Sequence, residues 1–509
     1  MARLPRSLNP PATRQRPPRP APQPEDPYSA GVLIGLVMIA TAFRILVLAN
    51  EAYPLYGDEA QYWVWSQTLE WGYFTKPPMI AWLIRATTGL FGDREFGVRF
   101  LAPLLHGASA CLLYAVGRTL YDKKIGFWSA LAWVSLPAIS LSSLLMTTDV
   151  PALFFWALGL ACFAIALDER QPIKRRQFCW IGLGLAIGLG LLSRYTMALF
   201  VLSMGLYIAT SARHVLRERW LWISLALGAA CIAPNVIWNL DHGLATFRHT
   251  GANANLGGPL FHPMALIAFI GSQFGVFGPI LFTALICLGV TLKWNRSMDK
   301  RAWLLISFAA PPLILALVIA LASRAHANWA AASYLSATIL VVQFLYQGVR
   351  RRRVLYAALI LDVAIAAVGY SYHDLASKAG IQLTRKTDPF SRLMGGRELG
   401  RAVSSFLQER GGAVLMTDDR MLFATLAFYV HPRPPQVEYN WKPYPGDQFE
   451  LTTDIHDVGD QQILYVTTDD KPTALDHFAQ VDRIGSITLP IHTDFVQHYA
   501  IFMLHGYHD

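Results

Sequence analysis

The chain has 509 residues, 54% of them hydrophobic and 15% charged, against roughly one-quarter charged in a soluble globular domain. That balance excludes a single soluble domain and points to a polytopic membrane protein. The formal charge of +9 would suit nucleic acid, but Lys and Arg fall mainly in short segments between apolar runs, where they orient a chain in the bilayer, so nucleic-acid binding is not expected.

Residues 1–27 combine many prolines with Arg3, Arg6, Arg14, Arg16 and Arg19 and read as a disordered basic cytoplasmic tail. About 20 helical residues cross a hydrocarbon core of about 30 Å. On that scale about eleven transmembrane helices are expected: roughly 31–50, 99–119, 126–144, 150–167, 179–193, 196–210, 220–240, 264–292, 303–321, 329–347 and 354–371. Basic clusters at the N-terminus, Lys123–Lys124, Lys174–Arg176, Arg213–Arg219, Lys293–Arg301 and Arg350–Arg353 occupy alternate loops, and these face the cytoplasm by the positive-inside rule. The opposite side then receives the loop 51–98, the turns at Asp149, at Ser193 to Tyr195 and at 322–328, the loop 241–263, and everything after about residue 372. Residues 28–372 form the expected membrane domain. Residues 373–509 carry one helical pattern, GRELGRAVSSFLQERG, and the strand-like runs AVLMTD, QQILYVTT and HYAIFMLHG, so a small α/β domain outside the membrane is expected. Cys111, Cys162, Cys179, Cys231 and Cys287 all lie in apolar runs, which gives no CxxC motif and no disulfide framework.

Ionisable groups at a membrane boundary cost free energy unless they are paired or used. In the first loop, YGDEAQYWVWSQTLEWGYFTKPPMI, the adjacent acids Asp58 and Glu59 stand beside Tyr56 and Tyr62, and Lys76 precedes two prolines. Solvated loop charge is the simplest account of such a pair. Tyr62, Trp65 and Leu69 recur at helical spacing and would lie in the interface plane. Neighbouring residues on a helix point about 100° apart, so one acid faces a cavity and the other its surrounding shell. Asp149, in LLMTTDVPALFFW, stands on the same side, either as a helix cap or as a second functional acid. Lys76, Arg248 and Arg324 fall where positive charge is otherwise sparse and are candidates for holding a phosphate. Arg85 and Arg194 read as snorkelling or surface-paired side chains. His326, Asn328 and Trp329 in RAHANWAAASY suit either interfacial anchoring or contact with a sugar, as do Tyr56 and Tyr62. His242, His249 and His262 are irregularly spaced candidates for a divalent metal, and no cofactor is otherwise indicated.

YGDEAQYWVWSQ, TKPPMIAW, LMTTDVPALFFWAL and HANWAAASY, in that order, resemble glycosyltransferase family 39 and the lipid A aminoarabinose transferases, including their rhizobial galacturonosyltransferase-like branch. The resemblance spans roughly residues 30–345. It implies a GT-C fold and an inverting transfer of a sugar from a polyprenyl-phosphate carrier to an envelope glycolipid acceptor on the periplasmic side of the inner membrane. It further implies Asp58 as catalytic base with Glu59 beside it, Asp149 as the second acid, and Lys76 as a donor-phosphate ligand, with Arg248 a candidate for a second contact. Where the aminoarabinose transferases carry a glutamate implicated in metal binding, this chain has Thr75. The competing expectation is a transporter or flippase for a lipid-linked or small anionic substrate, since intramembrane charges also mark transport paths.

Overall fold

The computed structural model describes residues 26–50, 53–252, 260–291, 299–440 and 444–508. The expected tail, 1–27, lies almost wholly outside them. Among the described residues, eight helices are long and apolar enough to cross a membrane: Ala30–Asn50, Glu95–Leu120, Asp149–Leu167, Ile173–Ser193, Arg219–Asp241, Lys300–Ala322, Ala327–Tyr346 and Val349–Tyr370. Pro263–Val276 and Pro279–Thr291 meet at 120° and make nine if they count as one span. The chain is therefore a multi-pass membrane protein, and the count differs from the eleven expected in two segments. The run 126–144 divides at Pro137 into Lys123–Ser135 and Pro137–Ser142, because proline removes a helix donor and disfavours α geometry before it. The run 196–210 gives the 14-residue helix Ala198–Ser211, about 21 Å long at 1.5 Å per residue.

Asp149–Leu167 is the most enclosed span, with Arg219–Asp241 and Val349–Tyr370 the most peripheral. The bend after Val276 needs Gly278, whose φ is +83° and whose Cα lies so near Asp362 that an added Cβ would collide with the carboxylate.

The C-terminal region is a five-stranded mixed sheet: β1 Val414–Thr417, β2 Gln436–Glu438, β3 Ile463–Thr467, β4 Phe478–His492 and β5 Phe495–Tyr507. Its order is β2-β1-β3-β5-β4, with β1 parallel to β2 and β3 and with β5 antiparallel to both neighbours. β1 and β3 are buried along their whole length, as expected of central strands covered on both faces. Helices Gly396–Arg410 and Arg420–Tyr429 cover one face through Leu399, Val403, Leu422 and Leu426. The outer side of Arg420–Tyr429, through Phe423, Ala424 and Phe428, packs into an aromatic cluster with Tyr62, Trp63, Trp65 and Tyr73 of the first loop.

Candidate active site

The first loop folds back between the spans and the sheet domain. Its helix Gly57–Gln67 turns Glu59 inward, where every lone pair of the carboxylate is engaged. Oε1 accepts from Arg99 Nε (2.8 Å) and from the Met146 amide (2.8 Å). Oε2 accepts from Arg99 Nη2 (2.5 Å) and from the Tyr56 amide (3.0 Å). Glu59 and Arg99 are each 1% exposed, so this pair is a fully desolvated clamp joining loop to span. Arg99 also donates to the carbonyls of Tyr53 (2.7 Å) and Pro54 (2.9 Å).

The sheet domain holds the other side of the loop. Trp63 packs edge-on against Phe428 (4.9 Å between ring centroids) and donates through Nε1 to Asp93 (2.8 Å). Arg433 lies 4.6 Å over the Trp63 ring and 3.1 Å from the same carboxylate. The Tyr429 hydroxyl accepts from the Leu55 amide (2.7 Å) and donates to Glu95 (3.0 Å), which also pairs with Arg397 (2.6 Å). Tyr62 and Trp65 are 4% and 2% exposed, so protein covers the face that was expected to meet the membrane interface. The difference arises because helical spacing reveals an apolar face without saying whether lipid or protein covers it.

One residue before Glu59, Asp58 faces the opposite way, into a cavity of about 710 Å³. Tyr56, Tyr62, Thr75, Lys76, Asp149, Arg194, His249, Arg324, His326, Asn328 and Trp329 also line it, and Arg392, Arg420 and Met421 of the sheet domain close it. Gly57 permits the approach of Met421, whose Sδ would stand 2.8 Å from any added Cβ. Among the described residues the Asp58 side chain has no hydrogen bond or ion pair. Burial raises its pKa, an effect that Arg420 and then Lys76 oppose and Glu59 reinforces. Burial likewise lowers that of Lys76, helped by Arg194. His249 and His326 are held toward the neutral form, each first by burial and then by nearby cations. Asp149 lies in the first turn of its span, after Thr148 at the cap position. One oxygen pairs with Arg194, and the other accepts from Asn328 Nδ2 at 2.5 Å.

Of the acid, phosphate and sugar candidates from the sequence, all but Arg248 line this cavity, Glu59 at its edge included, and of the three metal candidates His249 lines it while His242 and His262 do not. Arg248 is exposed and outside it, because its helix Ala245–Ala252 turns His249 inward and adjacent residues diverge by about 100°. Arg194 is paired, but inside the cavity rather than on the surface; Arg85 is exposed, 3.4 Å from Gln67. Arg392 and Arg420 were not anticipated. The available signal was that Arg420 opens the helix Arg420–Tyr429, where a cation opposes the helix dipole and is unfavourable unless an anion comes near. Among the described residues no three His, Cys, Asp or Glu side chains are gathered to hold a divalent metal, Thr75 offers a hydroxyl, and His242 is stacked on Trp238 (4.0 Å) with Nδ1 on its carbonyl (2.7 Å).

The dolichyl-phosphate-mannose-protein mannosyltransferase family model matches residues 75–238. Lipid A galacturonosyltransferase RgtD of Rhizobium johnstonii is 33% identical over 408 residues, 79% of this chain and 82% of the relative. An undecaprenyl phosphate-α-4-amino-4-deoxy-L-arabinose arabinosyl transferase of Pseudomonas fluorescens is 33% identical over 138 residues, 27% of this chain and 23% of the relative. The fold resembles the crystal structure of ArnT from Cupriavidus metallidurans bound to undecaprenyl phosphate, with a TM-score of 0.66, 15% identity, and 93% of this chain and 98% of that chain covered. The chain therefore belongs to the GT-C glycosyltransferase family that includes lipid A galacturonosyltransferase and the aminoarabinose transferases.

Proposed function

We propose that the chain is an inverting glycosyltransferase that moves a sugar from a polyprenyl-phosphate carrier to lipid A or a related envelope glycolipid. It resides in the bacterial inner membrane with its N-terminus in the cytoplasm and the cavity and sheet domain in the periplasm. The alternation of basic loops supports that orientation once the broken segment Lys123–Ser142 and the short Ala198–Ser211 are counted as crossings, as the shared cavity of Asp58 and Asp149 requires of the first. Homologues named for lipid A and for undecaprenyl phosphate support the substrates, and the family supports transfer over transport.

The observation that carries the chemistry is Asp58: a half-buried carboxylate with no hydrogen bond or ion pair among the described residues, in a cavity that also holds Lys76, Arg194, Arg324, Arg392 and Arg420. Burial raises its pKa above that of an ordinary aspartate, which strengthens it as a base. The acceptor hydroxyl gives its proton to Asp58 as its oxygen forms the new bond to the anomeric carbon. The bond from that carbon to the phosphate oxygen breaks on the opposite face, the configuration inverts, and the lipid phosphate leaves with the electron pair. Lys76 and Arg194 stabilise the charge that develops there. Asp149 orients Arg194 and Asn328, and Glu59 fixes the helix that presents Asp58 rather than exchanging a proton itself. Tyr56, Tyr62, His326, Asn328 and Trp329 provide rings and donors for sugar and acceptor, and Arg324, exposed on the same wall, is a further cation for the donor phosphate.

Asp58→Asn, reconstituted with polyprenyl-phosphate-linked sugar and lipid A, tests this. Turnover should fall by about 10²–10⁴-fold, whereas near-normal turnover in the folded variant would overturn the assignment.

A further inference from the structure

Lys76 carries its charge on a flexible four-carbon stem, and among the described residues its side chain has no hydrogen bond or ion pair. Its direction is therefore set by the backbone that bears it, a turn in which the Tyr73 amide donates to the Lys76 carbonyl (3.1 Å). Three segments distant in sequence grip that turn. From the span Arg219–Asp241, Asn235 Nδ2 donates to the Trp71 carbonyl (2.7 Å). From the helix Ala245–Ala252, the Thr246 hydroxyl donates to the Tyr73 carbonyl (2.8 Å). From the sheet domain, Gln448 Oε1 accepts from the Phe74 amide (2.7 Å).

The gripping side chains are themselves held. Asn235 Oδ1 accepts from the Tyr195 hydroxyl (2.7 Å), whose oxygen accepts from Asn239 Nδ2 (3.2 Å). Asn239 Oδ1 in turn accepts from the Thr246 amide (3.2 Å). Asn235, Asn239 and Thr246 are 0% exposed, and Tyr195 directly follows Arg194. A continuous chain of hydrogen bonds thus joins the turn of Lys76 to the backbone that carries Arg194, the other cation assigned to the leaving phosphate. In the sheet domain, Asp447 accepts from the amides of Phe449 (2.8 Å) and Glu450 (3.2 Å), which caps the short helix Gln448–Thr452 and fixes its first residue.

Any buried turn needs partners for its backbone, but these come from a span, a loop helix and the sheet domain, and all end within five residues of Lys76. None of Asn235, Asn239, Thr246 and Gln448 lines the cavity, so they act on a ligand only through the turn. We infer that Thr246 and Gln448 are positioning residues for Lys76, holding the turn so that its ammonium stands ready for the donor phosphate before the lipid arrives. Order set in advance lowers the cost of binding. The inference rests on the reading of Lys76 as a donor-phosphate ligand.

The test measures binding of a polyprenyl phosphate to the full chain in detergent, and donor kcat and KM, for Thr246→Val, Thr246→Ser and Gln448→Met. Each is made with Lys76 present and together with Lys76→Met. Losing one such hydrogen bond should raise Kd and KM by about threefold to tenfold in Thr246→Val and in Gln448→Met, with kcat close to that of the wild type. Thr246→Ser keeps the hydroxyl and should bind as the wild type does. In the Lys76→Met background neither substitution should weaken binding further. Wild-type affinity in both Thr246→Val and Gln448→Met, or the same weakening when Lys76 is absent, overturns the inference. Gln448→Met acts from the other domain, so it decides the matter where Thr246→Val fails to fold. Lys76→Met binding as tightly as the wild type would remove Lys76 as a phosphate ligand and the inference with it. A wild-type protein that binds polyprenyl phosphate without transferring sugar would sink the transferase reading, while the binding comparison would still decide the inference.

Discussion

Asp58 and Glu59 are chain neighbours, yet the two faces of their helix are opposites in charge. On the Glu59 side each ionised group is matched: Glu59 by Arg99, Glu95 by Arg397 and Tyr429, Asp93 by Arg433 and Trp63. On the Asp58 side one carboxylate faces several cations that have no ion-pair partner among the described residues. Matched charge fixes the loop in place, and unmatched charge leaves interaction free energy for a ligand. The contrast separates scaffold from site more sharply than residue type does, because both faces use Asp, Glu and Arg.

The contrast can be broken by substitution. The largest effect should come from Asp58→Asn, which removes activity as described but does not weaken the fold. The folded-state pKa of Asp58 lies above its unfolded value, so stability from this group is lost as pH rises through the folded pKa. The amide should therefore leave thermal stability at neutral pH unchanged or higher, and a clear drop would show that Asp58 belongs to the scaffold. Glu59→Gln should do the reverse, costing about 3–5 kcal/mol by stranding Arg99 and appearing as a lowered unfolding midpoint in detergent. Equal stability would return Glu59 to the catalytic group.

A smaller effect concerns pH. The acid limb of kcat should lie above the ordinary Asp value of 3.8, since protonation removes the base. Arg420→Gln should move that limb to higher pH, because the cation favours the ionised carboxyl; a shift downward would contradict the proximity of the two groups. Smallest of all, Arg248→Gln should change stability by less than about 0.5 kcal/mol and leave transfer within about twofold, measured beside the wild type.

Much of this was legible in the sequence. Length of apolar runs identifies the spans, and the strand-like runs AVLMTD, QQILYVTT and HYAIFMLHG fall on β1, β3 and β5. The divergence of Asp58 and Glu59 follows from helix geometry alone. What was not legible depends on contacts between distant segments. The helix Arg420–Tyr429 is apolar on two sides, one for the sheet and one for the first loop, so its periodicity is blurred. Arg420 reaches Gln61 across 359 residues, a pairing that no local pattern encodes. Arg248 and His249 differ by one position, and without the start of their helix nothing in the sequence says which turns inward.

The order of synthesis gives the Arg420–Gln61 contact a further meaning. At roughly 5–20 residues per second, the 359 residues separating the two take about 20–70 seconds to make. Through that interval the first loop already carries Asp58 and Lys76, but the wall holding Arg392 and Arg420 does not yet exist. The nascent chain is thus an unfinished vessel, whose wall is complete only when the last domain docks.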